Sequence, residues 1–291
     1  MTGSSSPLVS QRRVLAAIRD AREALSLTQR EVAEALDWSV SKIIRIENGS
    51  VGLSITDLKA LLLHYGITDR DRVETYVKLA KAGRQPAWWD EYRRLHSPDF
   101  VKYLGLESGA VSVRQYQLHL VPGLLQTAAY TRSLIIGNGN DREPADRNLA
   151  DRQVRIRRSR QARLDNPELK HNFILDESVL HRQVTDLHDW REQLQRIMQI
   201  SQQPNVTVQI LPYSAGWIEG MQSSFTILNL SEQLNDLHLT IERPDGDQYF
   251  DDISSAEKAV GFGKIFARIE AAALQASDTP RVIQESLQNR R

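Results

Sequence analysis

Hydrophobic positions along the chain follow two regimes. Up to about residue 82 apolar side chains recur every three or four residues; from about residue 110 stretches of strict alternation appear between helical ones. Val14, Ile18, Ala21 and Leu25 share one face of a first helix over residues 11–24, with Arg12, Arg13, Arg19 and Arg22 elsewhere. Thr28 and Glu31 have the spacing of a capping box, and Val32, Ala33 and Leu36 then give a short second helix. Ser39 caps a third helix, in which Ile43 and Ile46 face inward while Val40, Ser41 and Lys42 occupy the exposed first turn. Asn48 and Gly49 end it. Ser54 and Asp57 open a fourth helix over 55–64, stopped by Gly66, and Thr68 and Asp71 repeat the capping spacing before a fifth at about 69–82. The pattern predicts a flexible leader over 1–10 and an all-α bundle of five helices over 11–82, with a helix-turn-helix at residues 28–49.

Residues 83–109 read as an aromatic linker. Pro86 and Pro98 break helical continuity, while Trp88, Trp89 and Tyr92 are too apolar for a free tether and are expected to pack it against the next domain. Strand signals then appear at Val111 to Tyr116, at 170–175, at Val206, Val208 and Ile210, at 225–228, at 237–242 and at 248–250, the last two joined by Pro244-Asp245-Gly246. Helical patterns stand between them: one to about Ile136, one over 147–164, a turn at 177–180 and one over 187–202. Ser254 and Glu257 suggest another capping box, opening a helix through Val260, Phe266, Ile269 and Leu274; residues 138–144 read as a loop. The expectation is a larger α+β domain over 110–277, with 278–291 as a weaker helix or tail.

Composition narrows the function more than the fold. Of 291 residues, 41% are hydrophobic and 25% charged, an ordinary soluble composition, and no run approaches the ~20 apolar residues that span a bilayer. The first ten residues lack a secretion signal, so the expected location is the cytoplasm. Without cysteine there is no disulfide, thiolate metal site or cysteine nucleophile. Net charge is zero, and residues 1–83 hold 12 Lys and Arg against 10 Asp and Glu, a weak excess for a DNA-binding domain. Any affinity must come from a few placed contacts and from pairing of subunits. The strongest charge feature lies elsewhere: residues 147–164 hold seven Arg against one Asp, with Leu149, Val154, Ile156 and Leu164 as apolar contacts. A second nucleic-acid contact and a solvated, salt-bridged helix face both fit that pattern.

Two sets of residues carry a resemblance. Gln29, Ala33, Ser39, Ser41, Ile43, Ile46, Glu47 and Gly49, with the helix count and order around them, resemble the lambda-repressor and Cro-like (XRE) helix-turn-helix family over residues 11–82. The resemblance implies that Thr28, Gln29 and Arg30 lie near the DNA backbone, that Ser39, Val40, Ser41, Lys42, Ile44 and Arg45 enter or flank a major groove, and that Arg22 and Glu47 form a structural ion pair. The chain departs from the family at Asp37, where glycine is common in the turn, and at Val40 and Ile44, where polar residues usually read bases. Readout is therefore expected from Ser41, Lys42, contact of Val40 with a thymine methyl, and DNA shape. Residues 88–92 (WWDEY), 103–107 (YLGLE), 121–127 (VPGLLQT), 175–177 (LDE), 204–212 (PNVTVQILP) and 225–226 are similar to the C-terminal domain of the WhiJ-like, antitoxin-like transcriptional regulators of actinobacteria. That likeness implies a regulator taking its input from a small protein partner or a small-molecule effector.

The expected function is thus a homodimeric, sequence-specific regulator of transcription acting on a double-stranded DNA operator, its larger domain serving dimerisation and sensing. A protein-interaction module with secondary DNA contact competes with it, as does a small-molecule sensor built on Trp88, Trp89, Tyr92 and Trp217. Catalysis is not expected, since no nucleophile elbow, zinc-protease or phosphate-loop motif occurs, and no cofactor or metal is called for. His181 and His188, near Asp176 and Glu177, are read as surface and capping residues.

Overall fold

The computed structural model describes residues 6–137, 144–231, 236–250 and 256–288. It divides into two compact units, Met1–Gly109 and Ala110–Arg291.

The first unit is helical. Helices α1 (Pro7–Ala24), α2 (Gln29–Ala35), α3 (Val40–Glu47), α4 (Ile55–His64) and α5 (Arg70–Ala82) enclose a core of Val14, Ile18, Val32, Ile43, Ile46 and Leu61 among others. Four successive helices start on a side chain that accepts from the third helical amide: Thr28 from Glu31, Ser39 from Lys42, Ser54 from Asp57 and Asp69 from Arg72. The last cap is one residue later than the Thr68 spacing predicts, because Asp69 itself supplies the acceptor. Gly49 and Gly66, both at φ +72°, reverse the chain after α3 and α4. Leu25, read as inward, is 49% exposed just past the end of α1.

Two expectations are corrected here. The leader is not flexible throughout, since α1 begins at Pro7, a residue preorganised for the first helical position, and buries Val9 and Ser10 completely. Nor is 83–109 a linker: after a 3-10 turn at Asp90–Tyr92 it forms α6 (Pro98–Gly109), which packs on the first half of α1. Gly105 and Gly109, four residues apart, make the contact possible, because a Cβ at either would collide with Leu8 or Val9. Ser6 Oγ donates to Gly105 O at 2.6 Å and secures the start of α1.

The second unit is α+β. Strands β1 (Ser112–Gln117), β2 (Lys170–Asp176), β3 (Val206–Leu211), β4 (Phe225–Asn229), β5 (Leu237–Ile241) and β6 (Gln248–Phe250) form one sheet of order β3-β2-β1-β4-β5-β6. The first three are parallel; β1, β4, β5 and β6 are antiparallel. Helices α7 (Ala128–Ile136), α8 (Pro144–Gln161), the single turn α9 (Ser178–His181), α10 (Leu187–Ile200), α11 (Ala256–Ala272) and α12 (Thr279–Gln288) surround it. On one face Tyr116, Ile174, Phe225, Ile227 and Leu239 pack with Ala259, Phe266 and Ile269 of α11. Val260 of α11 is 43% exposed, and Leu149 of α8, expected as an apolar contact, is 38% exposed. Residues 279–288 are no tail: Ile283 is fully buried and Thr279 Oγ1 donates to Val208 O at 2.7 Å. Ser254 of the second capping box and the loop before Pro144 lie outside the described residues.

Candidate nucleic-acid interface

Helix α3 is held from behind and bare in front. Ile43, Ile46 and Glu47 are buried, at 1%, 1% and 3% exposure. Glu47 is the anchor. Arg22 of α1 grips its carboxylate with two bonds, Nε to Oε1 at 2.7 Å and Nη2 to Oε2 at 3.0 Å, and Arg19 donates to its backbone carbonyl at 2.8 Å. Gln29 of α2 adds Nε2 to Oε2 at 2.8 Å. Arg22 also donates Nη1 to Leu27 O at 2.9 Å, closing the turn in which Ser26 adopts φ 56°. One carboxylate thereby ties three helices, and its hydrogen bonds raise the Arg22 pKa above its ordinary value. Burial, reinforced by the charge of Glu47, pushes the nearby Tyr65 phenol up to about 12.

The outward stripe of α3 consists of Val40, Ser41, Ile44, Arg45 and Asn48, all exposed. Val40 and Ile44, one turn apart, remain 38% and 40% exposed, an apolar pair that stands outside the helical core cluster. Arg45 crosses the helix surface, its Nε donating to Ser41 O at 3.2 Å. The stripe is offered by a turn in which Asp37 takes φ 55°, the left-handed geometry expected where glycine is usual.

The other sequence-derived site residues divide sharply. Thr28 and Glu31 form the complete capping box, Thr28 N donating to Glu31 Oε2 at 2.7 Å; this bond and that of the Thr28 hydroxyl hold the Glu31 carboxyl below its ordinary value. Arg30 is exposed and pairs with Glu34 at 2.9 Å, a surface bond of small worth that a phosphate can replace. Ser39 is occupied as the cap of α3. Gln29 commits one N–H of its amide to Glu47, which leaves the second N–H and the carbonyl oxygen to meet another group. Lys42 departs from the expectation that it reads bases: its Nζ lies 2.8 Å from Asp57 Oδ1 and 3.6 Å from the centre of the Trp38 ring. Burial alone would raise the Asp57 pKa, but hydrogen bonds from Lys42 and Ser54 outweigh it and hold the carboxyl low. Lys42 therefore fastens α3 to α4. Its Trp38 partner, four residues earlier, was visible in the sequence; Asp57 was not. Asn48 was missed because its place next to Gly49 marked it only as a helix end.

Trp88, Trp89 and Tyr92 do gather, with Trp88 edge-on to both others at 5.6 and 6.2 Å, but Trp89 and Tyr92 are 4% exposed and act as packing. Trp217 belongs to the second unit and is 69% exposed.

The basic helix α8 is a contrast. Arg157 turns inward and donates Nε to Gln126 Oε1 at 2.7 Å and Nη1 to Gln153 Oε1 at 2.8 Å; Gln161 donates to Gly123 O and Gln126 O. Burial, with the charge of Arg160, lowers Arg157 to about 10. Arg163 donates to Ala110 O at 2.6 Å, while Arg147, Arg155 and Arg158 are exposed. His181 lies 3.4 Å from Glu177; His188, also 3.4 Å from Asp189, stands beside Asp186, which caps α10.

Among the described residues no helix is long and apolar enough to cross a membrane. A family model described as a helix-turn-helix domain matches residues 14–75, and one described as a domain of unknown function (DUF5753) matches residues 100–285. No curated protein and no solved structure matches the chain. The front of the chain is thus a helix-turn-helix domain, the kind that binds DNA in regulators. With the second match covering more than half of its length, the chain belongs to the DUF5753 family, and it carries that domain behind a helix-turn-helix.

Proposed function

We propose that the protein is a sequence-specific transcriptional regulator of the XRE type, binding operator DNA as a homodimer through α3. The observation that carries this reading is the exposed Val40, Ser41, Ile44, Arg45 stripe on a helix whose opposite face is clamped by Glu47. A recognition helix needs that division: side chains free to meet base edges on a backbone that does not shift. Arg45 supplies a cation, Ser41 a hydroxyl, and Val40 and Ile44 apolar contacts suited to thymine methyl groups. A two-fold dimer sets half-sites about 34 Å apart. The near-neutral front domain makes such pairing necessary for useful affinity.

The test is selection of operator sequence from a random pool, followed by footprinting. Protection of two half-sites one helical turn apart, lost when Ser41 and Arg45 are both changed to Ala in a protein that stays folded, supports the reading. Retention of the footprint in that variant rejects it.

A second reading assigns the larger domain to a small protein partner, as in WhiJ-like, antitoxin-like regulators. It is favoured by Tyr213 and Trp217, 59% and 69% exposed in the second unit, since aromatics left in solvent suit protein contacts. Footprinting with and without the product of the neighbouring gene separates the readings. Protection that depends on that product supports a partner-controlled protein; an unchanged footprint opposes it.

A further inference from the structure

The first unit holds a cleft of about 640 Å³ bounded by the start of α1, residues 83–93 and the start of α6. Its size is in the range of small-molecule sites, and all of its lining belongs to one unit. Its apolar wall is made by Leu8, Pro86, Ala87, Trp89, Pro98 and Val101. Three cationic side chains, Arg84, Arg93 and Lys102, also line it, against the single carboxylate of Asp90. That carboxylate is already engaged. Its Oδ2 accepts from Ala87 N at 2.8 Å and its Oδ1 from Arg93 Nε at 2.8 Å; these bonds overcome the effect of burial and hold its pKa low. The cleft therefore combines an apolar surface with two cations, Arg84 and Lys102, beyond the Arg93–Asp90 pair. We propose that it is a binding site for a small amphipathic anion, an aromatic or aliphatic body carrying one sulfonate, carboxylate or phosphate group.

The cleft's walls reach the recognition helix. Helix α1 contributes Leu8 and Gln11 to the cleft and, two to three turns further on, Arg19 and Arg22 to the Glu47 clamp. Arg84 lines the cleft and donates to Leu53 O, in the segment joining α3 to α4. Gly83 permits the close seat of this segment on α1, since a Cβ there would lie 3.2 Å from Gln11 N. An occupant that moves α1 or Arg84 therefore acts on the elements that present α3. This regulatory consequence rests on the DNA-binding reading above; the site itself does not.

The test uses the full chain and two related dyes. Anilinonaphthalene sulfonate carries the apolar body and the anion, and N-phenylnaphthylamine the body alone. The expected result is saturable binding of one sulfonate dye per chain, with quenching of tryptophan fluorescence, and binding of the neutral dye at least about tenfold weaker. Ala87→Trp, which fills the cleft, should abolish it. Arg84→Gln with Lys102→Gln should weaken the sulfonate by about tenfold, or about 1.4 kcal/mol, and leave the neutral dye within about twofold. Thermal melting monitors folding, and the charge variant carries the test if the tryptophan variant does not fold. Absence of saturable binding, equal affinity for the two dyes, or sulfonate affinity unmoved by a folded variant overturns the proposal. Saturating dye is further expected to change operator affinity about fivefold; an unchanged affinity overturns the regulatory consequence. Because the fluorescence measurement needs no DNA, failure of the cleft and failure of the DNA-binding reading give different results.

Discussion

Helices α3 and α8 make opposite use of charge. Helix α8 has the richest basic sequence in the chain, yet Arg157 is spent on side-chain carbonyls of Gln126 and Gln153, and Arg163, in the 3-10 turn that follows the helix, on the backbone of Ala110. Helix α3 has only Lys42 and Arg45 as cations, and Lys42 is held by Asp57 and Trp38. Even so, α3 is the helix with a continuous exposed face on a fixed support. The two helices differ in how their side chains are already committed, which a count of positive residues does not report.

The largest effect is expected where that support is removed. Glu47→Ala leaves the part-buried Arg22 without its carboxylate and costs up to about 3–5 kcal/mol of first-unit stability, measured by chemical denaturation. DNA binding should fall with it. Gln29→Ala, which removes one of the bonds to Glu47, should cost only about 1 kcal/mol. A Glu47→Ala protein as stable as wild type would show that the clamp does not hold α3 in place.

How far the sequence reached follows the same division. Caps were legible because donor and acceptor lie three residues apart, so Thr28, Ser39 and Ser54 were recognised from spacing alone. Asp37 was legible for a similar reason: one residue must turn left-handed, and aspartate tolerates that. The strands of the second unit were legible from alternation. Residues 83–109 were not, because the meaning of Gly105 and Gly109 depends on α1, about a hundred residues earlier. The bond of Lys42 to Asp57 was not legible for the same reason, since Asp57 reaches it only after α3 and α4 have packed. Of the exposed stripe, Val40, Ser41, Ile44 and Arg45 were legible through a family resemblance, and their availability needed the structure.

A smaller set of effects tests the front of α3 without touching its support. Arg45→Ala should weaken operator binding by about 1–3 kcal/mol, roughly 10- to 100-fold, with no change in stability, in a mobility-shift titration beside a thermal melt. Val40→Ala should lose about fourfold, from roughly 0.8 kcal/mol of apolar contact. Replacing operator thymines by uracil should weaken wild type and weaken Val40→Ala less, the remaining loss in the variant belonging to Ile44. A drop of the same size in both proteins would remove the methyl contact from the account.

Lys42→Ala separates fastening from reading. It should cost about 0.5–1 kcal/mol of stability at neutral pH. Asp57 has a folded pKa below its ordinary 3.8, so its contribution is present in full above that value and fades as pH falls through the folded one. Denaturation curves of variant and wild type should therefore converge in acid. If the variant instead keeps its stability and loses operator specificity, Lys42 belongs to the reading face.

The smallest expected effect is on α8. Arg147, Arg155 and Arg158 are its exposed cations for which the described residues show no ion pair, and Arg155 and Arg158 stand one turn or less apart near its C-terminal half. With Arg155→Gln and Arg158→Gln together, the slope of log affinity against log salt should change by less than about one, because every neutralised phosphate accounts for about 0.9 of that slope. Arg45→Gln measured alongside calibrates the change that one cation on α3 produces. A decrease of about two in the α8 variant would mean that its outer face neutralises two phosphates. The inward commitment of Arg157 would then describe only half of that helix, and the contrast with α3 would be one of degree.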